Sequence, residues 1–136
     1  CYLLGLHSRD AIQKAGMAGP LFENFCVQEA VKVFLHRGRR PPLYFLRTNN
    51  GLEIDLLVED ALAVHAMEFK FSAKKDENVN GVVTRLRDVF PDMTIKSAVV
   101  VSRNVDPSES KRGGARLGFR DYLTKLDALA KRQTGS

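Results

Sequence analysis

Cysteine is scarce in this chain, and its scarcity excludes several classes of protein. Only two cysteines occur among the 136 residues, Cys1 and Cys26, and Cys26 falls within an apolar helical stretch. Such a pair offers neither a disulfide framework nor the ligand spacing of structural zinc, so a reducing cytoplasm is the expected location. Long hydrophobic runs are also missing. None approaches the ~20 residues of a membrane span, and nothing resembles a signal peptide.

Motifs for two common chemistries are absent as well. The three histidines, His7, His36 and His65, are scattered, and no Ser/His/Asp order typical of an acyl-transfer hydrolase occurs. His65 alternates with Met67 on the apolar side of its segment, which predicts a core histidine. There is no Gly-x-x-x-x-Gly-Lys-Ser/Thr loop, so the chain should not bind ATP on its own.

The length and charge suit one domain with a polyanionic partner. A chain of 136 residues with 44% hydrophobic residues can bury a core of its own. Its formal net charge is +5. That excess suits a polyanionic partner, with DNA as one possibility, but solvated lysines on an ordinary surface produce the same sum, and both interpretations remain open.

Hydrophobic spacing and turn residues predict an α/β fold in α-β-β-β-α-β-β-α order, with helices flanking a central mixed β-sheet. Helices are predicted at 20–35, 76–90 and 121–131, and strands at 43–47, 52–58, 64–71, 95–102 and 117–119. The strand at 95–102 is a continuous Val-rich run, which indicates burial on both faces. Residues 1–18 are expected to be the remnant of a preceding domain or linker, 19–131 the domain, and 132–136 a disordered tail.

In the first predicted helix, Glu23 is expected to face the sheet and not the solvent. At 100° per residue Glu23 shares its stripe with Ala30 and Phe34, whereas Asn24 and Lys32 lie on the wet stripe. A carboxylate turned toward the sheet is costly unless it is paired or bound to metal. An ion pair with a basic residue of the sheet and a catalytic role are the two explanations.

Acids also gather on two neighbouring strands. Period-two alternation places Glu53 and Asp55 on one face of their strand, opposite Ile54, Leu56 and Val58. By the same rule Glu68 and Lys70 share a face of the next strand. The two strands then offer three carboxylates and one ammonium, which is either an ordinary solvent face or the beginning of a site for a divalent cation. Tyr44 and Phe45, with Arg47 beside them, could suggest stacking on nucleic acid, but aromatic residues of a strand are core far more often, and core is the prediction.

These residues resemble a known superfamily. Asp55, the triplet Glu68-Phe69-Lys70 and the helix that begins Gly19-Pro-Leu-Phe-Glu23 are similar to the PD-(D/E)XK nuclease superfamily, which implies a restriction-endonuclease-like core. Ile54 stands where the superfamily name has a proline, a position that contributes no ligand. Over roughly 19–123 the sequence more particularly resembles the uncharacterised C-terminal domain that follows the ATPase and winged-helix parts of prokaryotic AAA-type ATPases.

The resemblance implies roles for four residues. Asp55 and Glu68 would bind Mg²⁺ or Mn²⁺, Lys70 would orient the attacking water or steady the phosphorus, and Glu23 would be an auxiliary acid. The implied activity is hydrolysis of DNA phosphodiester bonds beside an attached ATPase. The alternative is a catalytically silent module on the same fold that binds DNA or protein or regulates the ATPase.

Basic residues near these strands are the candidates for gripping DNA. The strongest candidates are Lys74, Lys75, Lys111, Arg112 and Arg116, with Arg85 and Arg87 as further basic flanks. Neutralising phosphates releases counterions, so binding should weaken steeply with salt. A solubilising surface is the alternative for each group.

Overall fold

The structure is a computed structural model that describes residues 7–49, 51–72, 79–103 and 116–132. Its elements are α1 (Arg9–Lys14), α2 (Ala18–Leu35), β1 (Leu43–Arg47), β2 (Glu53–Asp60), β3 (Ala63–Lys70), α3 (Val79–Val89), β4 (Thr94–Ser102), β5 (Arg116–Gly118) and α4 (Phe119–Arg132). From α2 onward the order is the predicted one. The short helix α1 is additional and lies within the predicted remnant at 1–18. Residues 1–6 and 133–136 lie outside the described residues, as does the predicted start of the helix at 76.

Local signals account for where the helices begin and end. Ser8 caps α1 by accepting a hydrogen bond from the Ala11 N–H at 3.1 Å. Pro20 lies in the first turn of α2, where its missing N–H is not needed. The chain leaves α2 through Gly38, whose φ of 66° is a left-handed conformation that glycine adopts without strain. Among the described residues, no helix has the length and apolar character needed to cross a membrane.

The sheet is mixed, as predicted, with strand order β1-β2-β3-β4-β5. The pairs β1–β2 and β2–β3 are antiparallel. The pairs β3–β4 and β4–β5 are parallel. The prediction of burial on both faces of β4 is confirmed, because Val99 and Val101 pack on one side of the sheet and Ala98 on the other.

Two apolar layers enclose the sheet. The larger layer lies between the sheet and the helices α2 and α4, and it includes Phe34, Phe69 and Leu126. The smaller layer lies between the sheet and α3, around Leu86. A buried hydrogen bond of 2.8 Å, donated by the Tyr122 hydroxyl to the Cys26 carbonyl, joins α4 to α2.

A bulge in β2 overturns one sequence prediction. Tyr44 pairs with Leu57 and Leu46 pairs with Ile54, so one residue of β1 faces two residues of β2. The extra residue reverses the alternation. Ile54 therefore packs on the α3 side, while Leu56 and Val58 pack on the α2 and α4 side. The prediction that these three share a face is wrong, because strict alternation does not survive a bulge.

The prediction that Tyr44 and Phe45 are core residues is also wrong. Their side chains are 55% and 82% exposed, respectively. β1 is an edge strand of the sheet, and burial there depends on whether a helix happens to extend over each position. The Tyr44 hydroxyl donates to Glu59 at 3.0 Å, and Phe45 lies open to solvent.

His65 is the core histidine that the sequence predicts. It is only 5% exposed, and its Nδ1 lies 2.7 Å from the Ser97 hydroxyl. Its Nε2 lies 3.3 Å from Asp60, which also accepts from the Lys96 ammonium at 2.8 Å. Burial lowers the pKa of His65, while Asp60 raises it. The imidazole is therefore held neutral inside a satisfied polar network.

Candidate active site

The candidate site is built where β2 and β3 separate. Their antiparallel ladder runs from Asp60 opposite Ala63 to Leu56 opposite Met67, and the next residues in this register are Asp55 and Glu68. The ladder does not continue there. Instead, an Asp55 carboxylate oxygen, Oδ2, accepts a hydrogen bond from the Phe69 backbone N–H at 2.7 Å. We call this point the fork.

Asp55 is held in the fork at an electrostatic cost. Burial is the largest influence on its carboxyl and raises the pKa. The Phe69 N–H and the Lys70 ammonium lower it, and Glu53 raises it, with a net increase above the ordinary value of 3.8. A carboxylate in this position favours a cation more strongly than an exposed one does, because neighbouring groups only partly compensate its charge.

Glu23 faces the same region from α2, as its helical stripe predicts. Burial raises its pKa most, followed by the negative charge of Asp55, while Lys70 lowers it. Among the described residues, Glu23 forms no ion pair that would compensate its charge at close range. Asp55 thus raises the pKa of Glu23 across the space between helix and sheet, and Lys70 lowers the pKa of both acids.

A cleft of about 340 Å³ opens in front of these acids. We call it the acidic cleft. It is lined by Pro20, Glu23, Asn24, Val27, Phe45, Leu46, Arg47, Glu53, Ile54 and Asp55. The exposed ring of Phe45 and the Arg47 guanidinium stand at its β1 side. This combination of carboxylates with an aromatic and a cationic neighbour suits a ligand that has both phosphate groups and flat rings.

Glu68 is not brought to the α2 side with the other acids. Its strand neighbours Met67 and Phe69 pack toward α2 and α4, so alternation turns Glu68 toward α3. There its carboxylate lies 3.8 Å from the half-exposed guanidinium of Arg85. The sequence placed Arg85 only among the basic flanks. No local signal connects it to Glu68, because the contact depends on how α3 packs on the sheet.

The residues at the fork suit a metal ion only if substrate phosphate and waters supply its remaining ligands. Among the described residues, no group of three His, Cys, Asp or Glu side chains could hold an ion by itself. Mg²⁺, however, is commonly bound by one or two carboxylates together with substrate phosphate and waters. The oxygen donors of Asp55, with Glu23 on the same side as a second acid, therefore suit an ion shared with a phosphate and do not form a complete cage.

Comparison with known proteins gives the chain a family. Residues 18–117 match the family described as Domain of unknown function (DUF4143). The chain belongs to this family. The fold is similar to the crystal structure of protein VC1899 from Vibrio cholerae, with a TM-score of 0.51, 18% sequence identity, and coverage of 92% of this chain and 36% of that one. At that identity the likeness concerns the fold alone, and the DUF4143 chain spans about a third of the length of VC1899. No curated protein matches it.

The predicted DNA-gripping residues are mostly beyond what the structure describes. Lys74, Lys75, Lys111 and Arg112 of this DUF4143 chain lie outside the described residues. Arg116 is described, and it opens β5 opposite Val100 of β4. Its side chain is partly buried beside the parallel half of the sheet.

Proposed function

We propose that this DUF4143 domain is a metal-dependent phosphodiesterase acting on DNA. One observation carries the proposal: Asp55 occupies the fork, where the Phe69 N–H fixes it, Lys70 lowers its pKa against a larger effect of burial, and Asp55 in turn raises the pKa of Glu23. Gathering acids around one ammonium costs stability in a simple structural domain. Binding of a cation and a phosphate at this site would explain why the domain gathers these acids despite that cost.

The residues divide the work of hydrolysis. We assign Asp55 and Glu68 to Mg²⁺ or Mn²⁺, with Glu23 as auxiliary acid. Glu68 is opposite Asp55 in the register of β2 and β3, and it would have to turn from Arg85 to reach the same ion. When bound, such an ion acts as a Lewis acid and lowers the pKa of a bound water. Lys70 orients that water or stabilises the negative charge that develops on the phosphate.

The pairing of Glu68 with Arg85 is compatible with this role. The distance is long, at 3.8 Å, and the Arg85 guanidinium is half-exposed, whereas the Glu68 side chain is only 18% exposed. A cation bound beside Glu68 would compete with Arg85 for the carboxylate. The released guanidinium is then available to a phosphate of the bound strand, since arginine matches the geometry of phosphate oxygens.

The wider context follows from the resemblance in sequence. Similarity to the C-terminal domain of prokaryotic AAA-type ATPases supports an upstream ATPase with a winged-helix part as the partner in the same protein. The net charge of +5 supports a DNA substrate. In this arrangement the ATPase would deliver or remodel DNA and the DUF4143 domain would cut it.

A cleavage assay tests the proposal. The chain is incubated with plasmid, single-stranded and branched DNA in Mg²⁺, in Mn²⁺ and in EDTA. We expect cleavage only with the divalent ions, with loss of activity in Asp55→Asn and Lys70→Ala. Lys32→Ala is the matched control, because Lys32 pairs with Glu29 on the solvent side of α2 and should not matter.

A thermal shift assay adds a readout that does not depend on the choice of substrate. Binding to the native state raises the melting temperature by mass action, so millimolar Mn²⁺ should stabilise the chain, and Asp55→Ala or Glu68→Ala should abolish the shift. If neither cleavage nor a divalent-dependent shift occurs, the nuclease proposal fails.

One observation favours the alternative, a silent module that binds DNA or protein or regulates the ATPase. Within the described residues no three acids or histidines converge, and Glu68 is already paired with Arg85. Such a module would bind DNA or the ATPase without cutting. Retained DNA binding in EDTA with no cleavage in any divalent ion would identify it.

A further inference from the structure

A second cleft lies on the other side of the first turns of α2. It encloses about 460 Å³ and is bounded by α1, by α2 and by the residues that follow β3 and β4. We call it the aromatic cleft. Its lining is His7, Ser8, Arg9, Ile12, Gln13, Ala18, Leu21, Phe22, Phe25, Phe71 and Arg103. The volume falls within the ~300–1,000 Å³ typical of ligand sites.

The aromatic cleft lies at the carboxyl ends of two parallel strands. β3 and β4 are parallel, so the residues just beyond their carboxyl ends, Phe71 and Arg103, meet at the same edge of the sheet. Phe71 also directly follows Lys70, so the aromatic cleft begins one residue beyond the lysine of the candidate active site.

Its walls present ring faces that the protein holds in place. Phe22 packs edge-on against Phe71 with centroids 6.2 Å apart. Phe25 stacks on Phe119 with centroids 5.2 Å apart and an interplanar angle of 29°. Phe25 nevertheless remains 47% exposed, so one part of its surface is available to a ligand. Supported aromatic rings of this kind are the stacking platforms of single-strand binding proteins.

The charge of the aromatic cleft is the opposite of that in the acidic cleft. Within the part of the chain that the structure describes, its lining contains two arginines and a histidine, and no carboxylate. The Arg103 guanidinium lies 4.7 Å from the centroid of the Phe71 ring. Among the described residues, neither Arg9 nor Arg103 pairs with an acid. Both guanidinium groups are thus available to an anion, and Arg103 is already stacked on a ring.

We propose that the aromatic cleft binds an unpaired nucleotide of a DNA strand, with the base against the exposed ring of Phe25 and the phosphate on Arg9 and Arg103. This inference rests on the proposed nuclease function. It specifies the substrate of that function as single-stranded DNA or DNA with a single-stranded flap. A paired base cannot enter a cleft of this size, because it would have to leave its stack first.

The two clefts are adjacent along α2, which affects where a bound strand would be cut. One turn of α2 separates them, with Pro20 and Glu23 on the acidic side and Leu21 and Phe22 on the aromatic side. A strand that places one nucleotide in the aromatic cleft would bring a neighbouring phosphate toward the fork. Cleavage would then occur at a fixed distance from the anchored nucleotide, with little dependence on base identity, since every base has a ring face.

Binding in EDTA tests this inference separately from cleavage. Fluorescent oligo(dT), a blunt duplex of equal length and free thymidine monophosphate are titrated against the full chain by anisotropy. We expect the oligonucleotide to bind more tightly than the duplex and the free nucleotide, with affinity falling as salt rises. Phe25→Leu should weaken oligonucleotide binding about tenfold, the size of one lost base stack, and Arg103→Gln should weaken it and reduce its dependence on salt.

Matched variants control for general effects. Tyr44→Leu removes an exposed aromatic residue of β1, and Arg132→Gln removes an exposed arginine at the end of α4, and both should bind as the parent does. Circular dichroism and melting curves confirm that each variant is folded. Phe25→Leu keeps an apolar side chain, and Arg103→Gln changes an exposed position, so both should remain folded.

The outcomes separate the two proposals. Equal affinity for duplex and single strand, or unchanged binding by folded Phe25→Leu and Arg103→Gln, overturns the nucleotide cleft even if the chain cuts DNA. Free nucleotide binding as tight as the oligonucleotide overturns the strand assignment in favour of a small ligand. Selective oligonucleotide binding lost in both variants supports the cleft, even if no cleavage is ever detected and the nuclease proposal falls.

Discussion

The Asp55 carboxylate accepts a hydrogen bond of 2.7 Å from the backbone N–H of Phe69, fourteen residues further along the chain. This contact takes the place of a ladder hydrogen bond where β2 and β3 part. It therefore does two things at once. It satisfies a backbone donor that the sheet no longer serves, and it positions an acid between the strands with one oxygen left for another partner.

Two substitutions at Asp55 separate its structural role from its charge. Asp55→Ala leaves the Phe69 N–H without an acceptor in a part-buried position, which should lower the free energy of unfolding by about 1–2 kcal/mol. Asp55→Asn retains an oxygen acceptor and removes the repulsion with Glu23, so its stability should equal or exceed that of the parent. Urea unfolding in EDTA measures both.

Glu53→Ala is the control for the Asp55 experiment, because Glu53 is an exposed acid of the same strand and should change stability by less than about 0.5 kcal/mol. An Asp55→Asn protein as unstable as Asp55→Ala would contradict the assignment, since it would mean that the carboxylate charge, and not the hydrogen bond, stabilises the fork.

The stability contributed by Asp55 and Glu23 should fall as pH rises. Burial raises both folded-state pKa values above their ordinary 3.8 and 4.5, and the charge of Glu53 at Asp55 and of Asp55 at Glu23 adds to the increase. The native state therefore binds protons more tightly than the unfolded chain does. The contribution is complete below those ordinary values and is lost as pH rises through the raised ones. In metal-free buffer, the double variant Asp55→Asn/Glu23→Gln should thus gain stability relative to the parent between pH 4 and pH 7.

The comparison with the parent at each pH removes the effects of other titrating groups. Asp88→Asn, an exposed substitution on α3, serves as the control and should show no such trend. A double variant that loses stability relative to the parent as pH increases would show that the two acids are compensated in the native state. Unfolding curves at pH 4, 5.5 and 7 are sufficient for the test.

His65 should make the fold sensitive to mild acid. Its pKa is lowered, chiefly by burial and then by the charges of Lys125 and Lys96, against the opposing effect of Asp60. The unfolded chain binds the proton first, so the contribution of neutral His65 is present above 6.5 and is lost as pH falls through the lowered value. The parent should therefore lose more stability between pH 7.5 and pH 5 than His65→Gln.

At pH 7.5 itself, His65→Gln should be less stable than the parent by about 1–2 kcal/mol, because Ser97 and Asp60 lose a well-placed buried partner. His36→Gln is the control, since His36 is exposed just after α2. A parallel pH dependence in the parent and His65→Gln would exclude His65 as the source of acid sensitivity.

Much of the fold can be predicted from local signals. The limits of β1 at Leu43–Arg47 are the predicted ones, and α2 begins two residues before the expected Pro20. The inward direction of Glu23 follows from helical periodicity alone. These features depend on spacing within one element, on proline and glycine, and on apolar runs, all of which act over a few residues.

The composition of the site could not be predicted in the same way. The bulge opposite Phe45 changes which side chains of β2 share a face, and no turn residue in the sequence predicts it. Packing of α3 brings Arg85 to Glu68, seventeen residues away, and so withdraws that acid from the α2 side. The exposure of Phe45 likewise depends on which helix covers the edge of the sheet.

By itself the sequence determined where the helices and strands lie, which stripe of α2 turns inward, and that acids and a lysine occur on neighbouring strands. Periodicities of 3.6 and 2 residues suffice for that, because they are properties of single elements. Only the tertiary structure decided that Asp55 meets Glu23 and Lys70 while Glu68 turns to Arg85. The physical reason is that a bulge and the divergence of two strands result from contacts between distant parts of the chain, and one added residue reverses every side chain beyond it.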